Sequence, residues 1–254
     1  MTNVCILGTG IAGLLAAKAA EETGAEVTLY DQNPGNSGRT GLHYLHDPCG
    51  LDLSPINVYN IILYDETKNT KPHMQYARKL KIPKENSLMD LQRKVEAYSM
   101  QEAYRALWDR FQDRAEERVI EPRDLKKLII ENDWVISSIP LNCIVSTVAC
   151  MFLEYKAFRG HPKGLGIGSI DKSYNIVVYN TDENYDWYRY SRIEGVEWTE
   201  GLTEGEFTVI KPINVNFKVP YKNLILTGRW GRWQRGVLAH ESYYQVKKAL
   251  GGKA

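Results

Sequence analysis

The chain has 254 residues, 43% of them hydrophobic and 25% charged, which suits one large domain or two closely packed ones around a substantial core. Lys and Arg number 32 against 31 Asp and Glu, a formal net charge of +1. That balance excludes a whole-molecule field drawing the protein onto nucleic acid or an anionic membrane, and leaves only local patches to do so. Mean hydropathy is -0.40, and no apolar run reaches the roughly 18 residues of a membrane span.

The N-terminal Met1-Thr2-Asn3 enters an apolar, strand-like Val4–Leu7 run with no basic segment or cleavage site, so no secretory signal and a cytoplasmic location are expected. Gly8-Thr9-Gly10 follows the run, then a stretch from Ile11 to Thr23 rich in Ala, Leu, Lys and Glu. This reads as a buried strand, a tight turn and a helix. A second strand is expected at Glu26–Tyr30, closed by Asp31. Residues 32–55 are turn-rich, and so long a loop beside this start reads as a binding segment. Residues 87–117 are expected to be helical, from Leu88, Leu91, Val95 and Tyr98 through Ala103, Leu107 and Phe111. After Pro122 come a short helix at 123–131 and a strand at Asp133–Pro140. Cys143–Phe158 reads as helical. Residues 165–218, rich in β-branched and aromatic residues, read as hairpins or a meander. The strand Asn223–Thr227, a Gly-Arg-Trp-Gly turn and a helix over 237–250 complete the order: α/β, helical insert, α/β, antiparallel insert, α/β.

The four cysteines, Cys5, Cys49, Cys143 and Cys150, include no C-x-x-C pair and read as buried thiols of a reducing compartment. No His, Cys, Asp or Glu cluster has metal-ligand spacing, so no metal is expected.

Gly8-Thr9-Gly10-Ile11-Ala12-Gly13 sits between the expected strand and helix, and Asp31 lies 18 positions beyond Gly13. Each part suits a dinucleotide. Gly8 permits the turn, Gly10 lets backbone approach a pyrophosphate, and Gly13 lets the helix close on the sheet. The helix N-terminus, at Ile11 and Ala12, offers N–H groups and positive potential to the anion. Asp31 can accept from a ribose hydroxyl, and a carboxylate there disfavours a 2′-phosphate. The spacing does not choose between FAD and NAD.

The opening VCILGTGIAGLLAAKAAEETGAEVTLYDQN resembles the start of the FAD-binding amine oxidase and UDP-galactopyranose mutase superfamily. Gly35-Asn-Ser-Gly38-Arg39-Thr40 resembles its GGR-[ST] segment, and Thr40–Asp47 its mutase-type G-x-H-x-x-H segment. Asp133–Leu141 is similar to its strand ending in an SIPL turn, Tyr179–Asp182 and Trp187–Ile193 to a mutase NYTD…TRI pattern, and Asn223–Gly231 to its C-terminal GRxG flavin-binding turn. The resemblance implies an α/β fold: a Rossmann-like FAD-binding core with a parallel sheet, plus a small helical and antiparallel β part covering the substrate. It implies a discontinuous FAD-binding domain from 1–55, 115–150 and 219–254, with 56–114 and 151–218 as cover. Non-covalent FAD is implied to contact Gly8, Gly10, Ile11, Ala12, Gly13, Asp31, Gln32, Gly38, Arg39, Thr40, Val119, Gly228, Arg229, Gly236 and Val237.

By the same resemblance, His43 faces the flavin ring, where imidazole can relay a proton, and Arg229 stabilises charge on the reduced ring. His46, Trp187, Arg189, Trp230 and Trp233 are the expected substrate contacts. The aromatic strands around Tyr179, Tyr185, Tyr188 and Tyr190 supply either a core face or a stacking wall. His240 reads as structural. The implied activity is hydride transfer to flavin N5 from a C–H beside nitrogen in an amine or amino-acid-like substrate. Mutase-like isomerisation of a nucleotide sugar, and a non-catalytic flavin- or nucleotide-binding scaffold, are the alternatives. The partner is a small or nucleotide-linked molecule; Arg229–Gly236 leaves nucleic acid open, though the net charge argues against it.

Overall fold

The computed structural model describes residues 1–36, 44–82, 88, 91, 93–145, 150–165, 171–215 and 217–251. Its elements in chain order are β1 (Asn3–Leu7), α1 (Ile11–Glu22), β2 (Glu26–Asp31), β3 (Tyr44–Leu45), β4 (Pro55–Leu63), α2 (Pro72–Lys79), β5 (Lys94–Ser99) and α3 (Met100–Phe111). There follow β6 (Ala115–Glu117), α4 (Pro122–Glu131), β7 (Trp134–Ser137), α5 (Leu141–Ile144), β8 (Phe152–Arg159), β9 (Asn175–Asn180), β10 (Trp187–Ile193) and β11 (Val196–Gly201). The last are β12 (Phe207–Pro212), β13 (Leu224–Leu226), α6 (Gly228–Gly231) and α7 (His240–Ala249).

Two sheets organise the molecule. The first runs β13-β7-β1-β2-β6, with every pairing parallel. The interior of β1 is apolar on both faces, as a strand covered on both sides must be. Val4 and Ile6 face a cluster with Leu14, Ala17, Leu107, Phe111 and Val246. Cys5 and Leu7 face another with Leu125, Leu128 and Trp233. This is the Rossmann-like α/β core that the sequence leads one to expect.

The second sheet runs β12-β8-β11-β10-β9-β4-β5-β3. Its pairings are antiparallel except β4 with β9, which run parallel from Val58↔Asn175 to Leu63↔Asn180. Two expectations fail here. Residues 87–117 are not one helix: β5 occupies Lys94–Ser99, and the helix begins only at Met100. Val95, Ala97 and Ser99 alternate with more exposed neighbours, as a pleated strand requires. Residues 143–158 are not helical either, since α5 ends at Ile144 and β8 starts at Phe152. Tyr155 and Ala157 point inward on β8 with period two.

Cys5 and Cys49 are buried free thiols, but Cys143 is exposed, against the expectation that all four pack inside. Burial pushes the Cys5 and Cys49 thiols up to about 12, so both are poor nucleophiles. Among the described residues no helix is long and apolar enough to cross a membrane, and no three His, Cys, Asp or Glu side chains form a metal-holding group.

Candidate cofactor and substrate site

The carboxyl ends of β1, β7 and β13 turn together at one edge of the parallel sheet. Ser138 N–H donates to the Leu7 carbonyl and Thr227 N–H to that of Ser137, each at 2.8 Å. The Ser138 hydroxyl also donates to Leu7 O at 3.0 Å. These bonds leave no space for side chains at the glycines that follow. Gly8 has φ +99, and a Cβ there would lie 2.6 Å from Ser138 Oγ. At Gly13 a Cβ would sit 1.9 Å from the Gly8 carbonyl oxygen. Gly228, with φ +67, seats the C-terminal turn against the first one: a Cβ there would meet the Ala12 Cβ at 2.7 Å. The two glycine turns, more than 200 positions apart in sequence, thus form one surface.

The N-terminus of α1 opens onto this surface. Its N-cap is Gly10, without a side-chain cap, and its first turn carries no acidic residue. The first N–H groups of a helix have no intrahelical partner, so with the helix dipole they present an anion-binding face. Asp31 fixes the turn from β2: Oδ2 accepts from Thr9 N at 2.7 Å and Thr9 Oγ1 at 3.0 Å, while Oδ1 accepts from Asn33 N at 2.8 Å. A carboxylate has about four acceptor positions, so Asp31 retains capacity for a ribose hydroxyl. Gln32 is exposed beside it, and Val119 is 64% exposed just past β6, the edge strand next to β2.

Gly38, Arg39, Thr40 and His43 lie outside the described residues. His46 is described, its ring 4.9 Å from that of Tyr44 and 6.0 Å from that of His240 at the start of α7. Burial, and then the neighbouring His240, lower the His46 pKa from its usual 6.5, favouring neutral imidazole at physiological pH. His240 Nδ1 is buried without a hydrogen-bond partner. No sequence pattern joins these two rings, because their proximity depends on residues 46–50 folding back onto α7.

Trp187 and Trp233 are not exposed contacts. Trp187 is buried and donates Nε1–H to Lys163 O at 3.1 Å. Trp233 is buried, donates to Met151 O at 2.8 Å, and packs edge-on to Trp230. Both belong to cores because their rings fill the space beside their strands, with the polar N–H satisfied by backbone. Trp230 is partly buried, Gly236 is exposed with φ +82, and Val237 is buried.

Arg189 lies in a buried polar cluster of which the sequence showed one member. It pairs with Glu200, its register partner on β11. Glu200 Oε2 also accepts from Tyr188 Oη at 2.5 Å and from Lys211 Nζ at 2.7 Å. The pairing of β10 with β11 slips between Trp187 and Arg189; the extra residue is Tyr188, and so two consecutive side chains reach one carboxylate. The Lys211 ammonium lies 4.7 Å from the Tyr188 ring centroid and 5.4 Å from that of Tyr155. Arg229 approaches from α6, and burial, the Arg189 charge and the Arg235 charge together lower its pKa against the pull of Glu200. Lys211 and Glu200 are charged residues within otherwise strand-like runs, but no local pattern joins them, since they lie on β12 and β11 with β8 between.

Fold and edge together define a Rossmann-like α/β protein. Residues 6–60 match the NAD(P)-binding Rossmann-like domain family. No curated protein matches the sequence. Among solved structures, the chain is 14% identical to the PF1083 protein from Pyrococcus furiosus over 100% of this chain and 99% of that one, with a TM-score of 0.52; that likeness is one of fold. It is 15% identical to 2-methyl-3-hydroxypyridine-5-carboxylic acid oxygenase, over 79% of this chain and 58% of that one, TM-score 0.43. It is also 15% identical to CtdE, a structure in complex with FAD, over 82% and 60%, TM-score 0.40. The chain therefore spans about three fifths of the length of these last two.

Proposed function

We propose that the protein is a FAD-dependent oxidoreductase acting on a C–N bond of an amine or amino-acid-like substrate. The observation that carries the cofactor reading is the joined pair of glycine turns. An uncapped, acid-free helix N-terminus lies beneath Gly8, Gly13 and Gly228, three positions where a Cβ would collide. The family match over 6–60 supports a dinucleotide at that turn, and the resemblance of both chain ends to the amine oxidase and mutase superfamily supports FAD.

In this reading Gly10, Ile11, Ala12 and Gly13 bind the pyrophosphate through backbone N–H groups, and Asp31 orients the adenosine ribose, with Gln32 and Val119 at the adenine side. Arg229, Gly236 and Val237 line the flavin end, with Gly38, Arg39, Thr40 and His43 contributed by the loop after β2. When bound, FAD supplies the hydride acceptor; the chain supplies position and a water-poor pocket. Neutral His46 supplies a group able to accept a proton. The second sheet, built chiefly from 56–114 and 151–218, covers the substrate.

The test is the absorbance spectrum of the purified protein, followed by anaerobic mixing with a panel of amines. A bound flavin spectrum that bleaches with an amine is the expected outcome. A flavin active only after dithionite reduction, and then on a UDP-sugar, assigns mutase-like chemistry instead. A protein that takes up no flavin overturns the proposal.

A further inference from the structure

We propose that Arg189, Lys211 and Arg229 form a subsite for an oxyanion, the carboxylate or phosphate group of the substrate. The inference deepens the reading above and rests on it in one respect: the substrate must lie between the α1 turn and the second sheet.

The argument is one of charge and of unused donors. Glu200 is already shared three ways, with Oε1 taken by Arg189 and Oε2 shared by Tyr188 and Lys211. One carboxylate pairs with two cations, Arg189 and Lys211, and the charges of Arg189 and Arg235 act on Arg229 as well. Arg189 Nε and Arg229 Nε are both buried and without a hydrogen-bond partner among the described residues. A structural ion pair needs only Arg189 and Glu200. Adding buried cations to it costs several kcal/mol of desolvation, which one carboxylate shared three ways offsets only in part. An incoming anion supplies the missing compensation, and guanidinium forks with an ammonium beside them are the donors that planar or tetrahedral oxyanions take best.

The arrangement is also built for a ligand in its geometry. Arg229 comes from the turn after β13 in the parallel sheet, whereas Arg189 and Lys211 come from β10 and β12 of the other. An anion held among them would bridge the two sheets, with Arg229 following directly on Gly228, the glycine that seats on Ala12.

The experiment is a calorimetric titration of the FAD-saturated protein with malonate and, separately, with inorganic phosphate. One of the two is expected to bind saturably and so identify the oxyanion. Lys211→Met and Arg229→Met should each weaken that binding by about tenfold, the worth of a charge-assisted hydrogen bond. Lys211→Arg should retain it, and Lys127→Met, an exposed change on α4, should leave it untouched. Thermal melts identify any variant that fails to fold, and Lys211→Arg against Lys211→Met then decides the matter alone. The proposal is overturned if neither anion saturates, if the cluster variants bind as the wild type does, or if the anion displaces FAD. Should the protein take up no flavin, the functional reading fails separately. The same titration on the flavin-free chain still reads the subsite, because Lys211→Met removes it without touching the α1 turn.

Discussion

Lys211 carries its charge in a nearly buried position. Burial lowers its pKa from 10.5 to about 8; Glu200 pulls the value back up, while Arg189 and Arg235 push it further down. The rings of Tyr155 and Tyr188 complete its surroundings. The linkage has a definite sign. Between about 8 and 10.5 the unfolded chain keeps this proton and the folded chain does not, so the unfolded state binds more protons and stability rises with pH. Lys79, held by the carbonyls of Asp182 and Trp187 at 2.5 and 2.7 Å, is lowered to about 8 as well and adds to the rise. In the same range Cys5 and Cys49 ionise in the unfolded chain near about 8.5 but are held up to about 12 in the folded one, so the two thiols oppose the rise and the Lys211 contribution is read as a difference between wild type and variant. Urea unfolding between about pH 8 and 9.5 should show the stability of wild type gaining about 1–2 kcal/mol relative to Lys211→Met. An unchanged slope in that variant would mean that Lys211 is solvated. At the residue scale the glycines and Asp31 were legible in sequence, because each answers to a local backbone demand. Lys211 and Glu200 were not, because only the pairing of β8, β11 and β12 brings them together.

Ser99 is where an element changes kind. It closes β5 and caps α3: its hydroxyl accepts from Glu102 N at 3.3 Å and donates to Glu194 Oε2 at 2.6 Å. Sequence periodicity ran a helix through this point because Leu91, Val95 and Tyr98 fall at helical spacing. Those same residues also satisfy a strand, with Val95 opposite Val58 and Tyr98 opposite Leu45 and Pro55. Short apolar patterns of this kind do not separate the two periods. Long, punctuated elements were legible, as at β1, α1 and α7, where glycine turns or a continuous helical run fix the ends. Ser99→Ala removes the cap and leaves Glu194 without its donor, and should cost about 1 kcal/mol. For a chain of this size that lowers the melting temperature by about 2–4 °C, with Ser99→Thr recovering most of the loss. A melting temperature unchanged in Ser99→Ala would show that α3 is held by its packing alone.

At the scale of the whole molecule, the chain passes from one sheet to the other four times: after β2, after β5, after β7 and after β12. The two excursions, separated by about 50 residues of sequence, meet in the parallel pairing of β4 with β9. No local pattern announces that pairing, which is why two separate inserts were expected and one eight-stranded sheet is found. The cores are shared in the same way. Leu45 from the second sheet packs in one cluster with Val4, Leu14 and Val27 of the first, and α3, which follows β5 directly, adds Ala103, Leu107 and Phe111 to it. Neither sheet can therefore lose its strands without opening the hydrophobic cluster that the other depends on. Unfolding in urea should be a single cooperative transition, with far-UV circular dichroism and tryptophan fluorescence giving the same midpoint. Trp134 reports from the parallel sheet and Trp187 and Trp198 from the other, so each sheet has its own probe. Two separated midpoints would show that the sheets are independent units, and that Arg229 meets Arg189 and Lys211 across a movable boundary and not within a single core.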